Sequence, residues 1–216
     1  MKFQTIVADV EAELVEKRSK FIANLFYVSD IEQIEQKLQE ISKTHRDAKH
    51  HCYAYRILQG DTIVERASDD GEPSGTAGMP MLTILNKKEL CNVLVVVTRY
   101  FGGILLGTGG LVRAYSGVVM NALEKANLVE EIMGTQLTIE IEYASLDKFI
   151  YFCRKNEIYI EKIEYQETVF CTIVVKEEEQ ISLITNREEN SLSILKCEIL
   201  GKKILRNTIK AKQNGK

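Results

Sequence analysis

Asn92 to Ser116 reads NVLVVVTRYFGGILLGTGGLVRAYS, and this stretch decides the fold. Asn92-Val93-Leu94-Val95-Val96-Val97-Thr98 is apolar without alternation, the pattern of a central strand covered on both faces. Arg99-Tyr100-Phe101-Gly102-Gly103 and Gly107-Thr108-Gly109-Gly110 then lead the chain out of the strand. Leu111, Tyr115, Val118, Ala122 and Ala126 follow at the spacing of one helical stripe. A Gly-rich turn that opens on a helix exposes unpaired N–H groups at the positive end of the helix dipole, where anions are favoured. Arg99, Gly102, Gly103, Thr108, Gly109, Gly110, Arg113 and Ser116 are therefore candidate anion- or nucleic-acid-binding residues. No Gly-Lys-Ser/Thr follows, so this is not a P-loop, and Gly107-Thr108-Gly109 is only half a dinucleotide fingerprint. The same glycines also permit close packing of helix on sheet.

Immediately upstream, Ser68-Asp69-Asp70-Gly71-Glu72-Pro73-Ser74-Gly75-Thr76-Ala77-Gly78 forms a second candidate loop, of which Asp69, Asp70, Glu72, Ser74 and Thr76, together with His51, are the chemistry-bearing members. Three carboxylates set this closely suit a divalent cation, or an acid and a base whose pKa values are pushed apart. Equally, Asp, Ser and Gly are the ordinary residues of a solvated turn that caps backbone amides. Both prolines, Pro73 and Pro80, and most of the 13 glycines lie between Gly71 and Gly117, so irregular backbone is concentrated here. Function on a rigid scaffold tends to occupy such segments.

Farther out the pattern is ordinary. Phe3 to Tyr27 reads as two extended stretches around Lys17-Arg18-Ser19-Lys20, and Ser29-x-x-Glu32 reads as a capping box for a helix over about Asp30 to Ser42, with Ile31, Ile34, Leu38 and Ile41 inward. His51 to Leu58 and Thr62 to Arg66 form a strand pair about Gly60-Asp61. In that strand His50 and Cys52 face one way and His51, Tyr53 and Tyr55 the other. A zinc site needs three or four gathered ligands and only the His-x-Cys pair is visible, so no metal is expected. Met79 to Asn86 is a short helix that tolerates Pro80 in its first turn.

From Thr135 the pattern restarts. A strand alternates through Leu137, Ile139, Ile141 and Tyr143, a helix follows Ser145, two strands flank Tyr165-Gln166-Glu167, and a helix over about Glu177 to Glu189 precedes a last strand from Leu192 to Leu200. The order β-α-β-β-α-β is the split βαβ, ferredoxin-like arrangement. The expected organisation is α+β in two domains, 1–133 and 134–205, with the break near Glu131 to Gly134 and a basic tail at 206–216. Lys202, Lys203, Arg206, Lys210, Lys212 and Lys216 carry the positive charge of this end, read as a frayed, solvated segment.

SDDGEPSGTAGMPML (68–82) followed by the 92–116 stretch resembles the YigZ/IMPACT family, supported by Lys20-Phe21-Ile22-Ala23 and His51-Cys52-Tyr53-Ala54-Tyr55. The resemblance spans the whole chain. It implies an N-terminal domain like the second domain of ribosomal protein S5 and domain IV of elongation factor G, and a ferredoxin-like C-terminal domain like that factor's domain V. It also implies a role in translation, with RNA or the ribosome and a translation-regulatory protein as partners. Eukaryotic members regulate an initiation-factor kinase and carry an added RWD module that is not read in this sequence, so that pathway is not carried over. The family supplies no established catalytic residue set.

The leading expectation is thus a non-enzymatic RNA- or ribosome-associated binding protein. The alternatives are a metal-assisted hydrolase or phosphate-ester enzyme using Asp69, Asp70 or Glu72, and a protein-interaction module on the same face. No complete catalytic constellation and no cofactor motif is present. The net charge of −3 gives no long-range attraction to phosphate, so nucleic-acid binding would rest on local patches, and no sequence-specific DNA binding is expected. No apolar run approaches a bilayer span and no signal peptide is read, which places the protein in the cytoplasm. Cys52, Cys91, Cys153, Cys171 and Cys197 are widely spread, as free thiols of a reducing compartment are.

Overall fold

The computed structural model describes residues 2–176, 178–185 and 192–207. These form two compact units, one of Phe3–Glu130 and one built mainly of Glu131–Asn207. The architecture is mixed helix and antiparallel sheet.

In the N-terminal unit β1 (Lys2–Ile6) is followed by β2 (Val10–Glu16), β3 (Ser19–Tyr27), α1 (Ile31–Thr44), β4 (His50–Gln59), β5 (Thr62–Ser68), α2 (Gly78–Lys87), β6 (Val93–Tyr100) and α3 (Thr108–Lys125). The sheet order is β2-β3-β6-β4-β5. β6 is central, and its apolar run has a simple cause: alternate residues serve two cores. Val93, Val95 and Val97 join Phe21, Cys52, Met81, Tyr115 and Val118 on the face covered by α2 and α3. Leu94 and Val96 join Phe26, Ile34, Ile41 and Ile57 beneath α1. Tyr53 and Tyr55 belong to this second cluster and stack on each other at 6.3 Å.

The C-terminal unit follows the expected strand–helix–strand–strand–helix–strand order: β7 (Leu128–Ile141), α4 (Leu146–Lys155), β8 (Tyr159–Tyr165), β9 (Val169–Val175), α5 (Glu178–Thr185) and β10 (Ile194–Asn207). β9 lies between β7 and β8, and β10 pairs with β7. Leu137, Ile139 and Ile141 meet Phe149, Cys153, Cys171 and Ile173 in its core.

Several boundaries differ from the sequence reading. The N-terminal segment makes three strands, and in the first of them Gln4 also bridges to the backbone before β6: its N–H donates to the Glu89 carbonyl and its carbonyl accepts from Cys91 N–H. α1 is capped by Asp30 rather than Ser29: the Asp30 carboxylate accepts from Gln33 N–H at 2.8 Å, and the Gln33 side chain accepts from Ser29 N–H at 3.0 Å. The device is the expected one moved by one residue, and it places a full negative charge at the helix start. Residues 131–134, near which the break was expected, are strand residues within β7. Glu131 within it is buried and accepts from the Arg206 guanidinium at 2.8 Å. Correspondingly, Lys202, Lys203 and Arg206 are strand residues of β10, with Lys203 paired to Glu161, and not tail. Lys210, Lys212 and Lys216, and residues 186–189 of the expected helix, lie outside the described residues.

Candidate functional site

The 69–78 loop is organised by one carboxylate. Asp69 accepts from the backbone N–H groups of Gly75, Ala77 and Gly78 at 2.8, 2.9 and 2.8 Å. Burial pushes its carboxyl up, but these donors outweigh burial and leave it below the usual carboxylate range. Asp70, with φ 41°, accepts from His51 N–H at 2.6 Å, and its carbonyl lies 2.7 Å from His50 Nδ1. Thr76 donates its hydroxyl to the Pro73 carbonyl at 2.6 Å, while Ser74 sits exposed at the tip.

This scaffold carries Glu72 inward. Its Oε1 accepts from Arg99 Nη1 at 2.6 Å and from the Tyr115 hydroxyl at 2.8 Å. Arg99 continues the Val93-Val95-Val97 phase of β6, so the strand's alternation aims it at α3. Both members of the pair are buried. Ser19 on β3 connects to the same cluster, 3.5 Å from Arg99 Nη2 and accepting from Gly102 N–H at 3.1 Å. Cys52 donates to the Asp69 carbonyl at 2.9 Å. Burial, with the charges of Glu72, Asp70 and Asp69, pushes the Cys52 thiol up to about 12, so it is no nucleophile at neutral pH.

The opposite phase of the same strands carries His51, Thr98 and Tyr100, and His45 reaches that side from the end of α1. His51 Nδ1 lies 3.2 Å from the Thr98 hydroxyl and His45 Nδ1 lies 2.9 Å from the Tyr100 hydroxyl, on the α1 side. Burial lowers the His51 pKa, Asp70 opposes that, and His45 and His50 add to it.

Past Tyr100 the chain leaves the sheet through Phe101 to Leu106. Gly102 presses against the β2–β3 turn, where an added Cβ would fall 2.0 Å from the Arg18 carbonyl carbon; Gly103 follows with φ 83°. Gly107, at φ 72° and ψ 166°, caps α3 without a side-chain acceptor, so the first-turn amides at Thr108, Gly109 and Gly110 have no capping side chain. A cleft of about 360 Å³ opens here, lined by Lys49, His50, Glu72, Arg99, Phe101 and Thr108, with Leu105, Leu106 and Leu111 among its apolar walls. A second cleft of about 190 Å³ holds Arg113 and Gly110 with Leu14, Glu16 and Lys17, and shares Leu106 with the first. Ser116 lies about 12 Å along α3 from Thr108, at ~1.5 Å per residue.

Of the residues singled out from sequence, Glu72, Arg99 and Thr108 thus share one cleft, Gly110 and Arg113 share the other, and Asp69, Asp70 and Thr76 shape the loop between strand and helix. The three carboxylates do not converge: each is turned to separate donors. Among the described residues no group of three or more His, Cys, Asp or Glu is placed to hold a metal ion. The sequence reading missed Lys49, His50 and Phe101 as cleft walls. Lys49 was visible only as one of several cations upstream of β4, and Phe101 only as part of the Gly-rich turn.

The sequence model described as the Impact N-terminal domain matches residues 17–123, which include both loops, the whole of the first cleft and all of the second except Leu14 and Glu16. IMPACT family member YvyE of Bacillus subtilis (strain 168) is 41% identical over 169 residues, 78% of this chain and 77% of its own length. The chain belongs to the IMPACT family. An IMPACT family member from Haemophilus influenzae is 34% identical over 187 residues, covering 85% of this chain and 90% of that protein. A crystal structure of an hypothetical protein shares 32% identity and a TM-score of 0.60, across 89% of this chain and 96% of that one. Family membership therefore extends over both units. No described helix is long and apolar enough to cross a membrane.

Proposed function

We propose that this IMPACT family member is a non-enzymatic, cytoplasmic RNA- or ribosome-associated binding protein that acts in the regulation of translation. The observation that carries the reading is the cleft at the start of α3, where Lys49, His50 and uncapped first-turn amides border an exposed aromatic ring. A helix start favours an anion by ~0.3 to 1 kcal/mol, and neighbouring cations add to it. The family resemblance supports the translational context. Within the same proposal the N-terminal unit is like the second domain of ribosomal protein S5, and the C-terminal unit is ferredoxin-like; the position of β9 between β7 and β8 supports the latter.

The test uses exposed cations, since Arg99 is committed to Glu72. Lys49 and Arg113 are both exposed. Replacing both with Ala weakens co-sedimentation with ribosomes and binding to RNA, and flattens the dependence of binding on salt by about 0.7 in log–log slope per lost single-strand phosphate contact. Melting temperature stays the same. Unchanged binding and salt slope in a folded double variant refutes the assignment of the phosphate contacts to these clefts.

A further inference from the structure

Phe101 is the outer layer of a stack that begins in the core. The Arg99 guanidinium carbon lies 5.4 Å from the Phe21 ring centroid and 5.5 Å from that of Phe101. Phe21 is fully buried and meets Tyr115 edge-on, with centroids 5.2 Å apart. Arg99 is fixed by its 2.6 Å bond to Glu72. Cation–π contact of this kind holds Phe101 in place although the residue is 47% exposed. An aromatic side chain supported from beneath and open above is an unusual use of a surface Phe, because burying it would be more favourable.

What lies around the ring narrows the ligand. The cleft that Phe101 borders also takes Lys49, His50 and Thr108 as walls, and Leu105 stands exposed at its edge. A flat apolar face, a cation and the amide end of a helix within one cleft of about 360 Å³ match a unit that is planar at one end and anionic at the other.

We propose that this cleft binds one unpaired nucleotide of single-stranded RNA, its base stacked on Phe101 and its phosphate held by Lys49 and the first-turn amides of α3. The inference rests on the RNA-associated reading above and specifies the form of RNA. The base must be unpaired, because in a duplex both of its faces are already covered by neighbours. Every base has a π-face, so the site is tolerant of sequence.

The chain contains no tryptophan, so Phe101→Trp introduces a single fluorophore at the platform. Single-stranded RNA oligomer quenches its emission saturably, the same oligomer annealed to its complement does not at equal concentration, and a nucleoside monophosphate, which lacks the rest of the strand, quenches only at much higher concentration. Phe101→Leu, which keeps apolar bulk on Arg99 but lacks a π-face, binds the single strand about ten-fold more weakly with an unchanged melting temperature. If the unmodified chain binds RNA but Phe101→Leu binds equally well, or single strand and duplex quench alike, stacking is refuted while RNA association stands. Quenching by the monophosphate as strong as by the oligomer points to a free-nucleotide site and also refutes the proposal. If the unmodified chain binds no RNA and Phe101 serves only to seat a protein partner, both readings fall.

Discussion

Arg99 reaches the interior because β6 alternates: Val93, Val95 and Val97 face α2 and α3, and the next residue in that phase is an arginine. Its side chain and that of Glu72 are only 6% and 3% exposed. A pair this deep is not strong evidence of net stabilisation, since desolvating two ions offsets much of their attraction. Removing one partner is another matter, because the remaining charge stays buried without compensation. Arg99→Ala therefore lowers the free energy of unfolding by ~3 to 5 kcal/mol in urea titration, while exposed Arg113→Ala changes it by less than about 0.5 kcal/mol. A loss below about 1 kcal/mol for Arg99→Ala would show that Glu72 finds water or another donor instead. The residue types alone suggested two cations on one anion-binding surface; burial gives them different work.

At the scale of elements, the β2–β3 turn and the exit from β6 are built against each other. Lys17 and Arg18 take φ of 44° and 65°, the left-handed conformation of a tight hairpin, at positions where glycine or asparagine is usual. Ser19 then accepts from Gly102 N–H, and Gly102 touches the Arg18 backbone with no room for a side chain. The contact is backbone on both sides, so nothing flexible can yield. Gly102→Ala costs ~1 to 3 kcal/mol by forcing the turn away from the sheet end. Measured melting equal to that of the unmodified chain would mean that the turn moves aside freely. This pairing also explains why the Gly-rich turn is fixed in position although its tip carries exposed Phe101, Ile104 and Leu105.

For the whole molecule, each apolar cluster draws on one unit. The residues named in the C-terminal core run from Leu137 to Cys197, and those in the two N-terminal clusters from Ile6 to Ala126. Residues 131–207 expressed alone are accordingly expected to unfold cooperatively on heating, as followed by circular dichroism; a fragment with no transition would show that this core is insufficient by itself. The order of most strands and helices and the family were legible in the sequence, because periods of 2 and 3.6 residues and long Gly-rich motifs are written locally, but the three-strand form of the N-terminal segment was not. The sequence also located the loop and turn that border the clefts. The limits of β7 were not legible, since its alternation is clear only from Leu137 onward and Glu131 is held in the strand by Arg206, 75 residues away. Nor did the sequence determine that Lys49, Glu72, Phe101 and Thr108 share one cleft. That depends on β6 lying between β3 and β4. Strand order, and with it which charges are desolvated and which rings are supported, arises from packing between distant segments and leaves no local pattern to read.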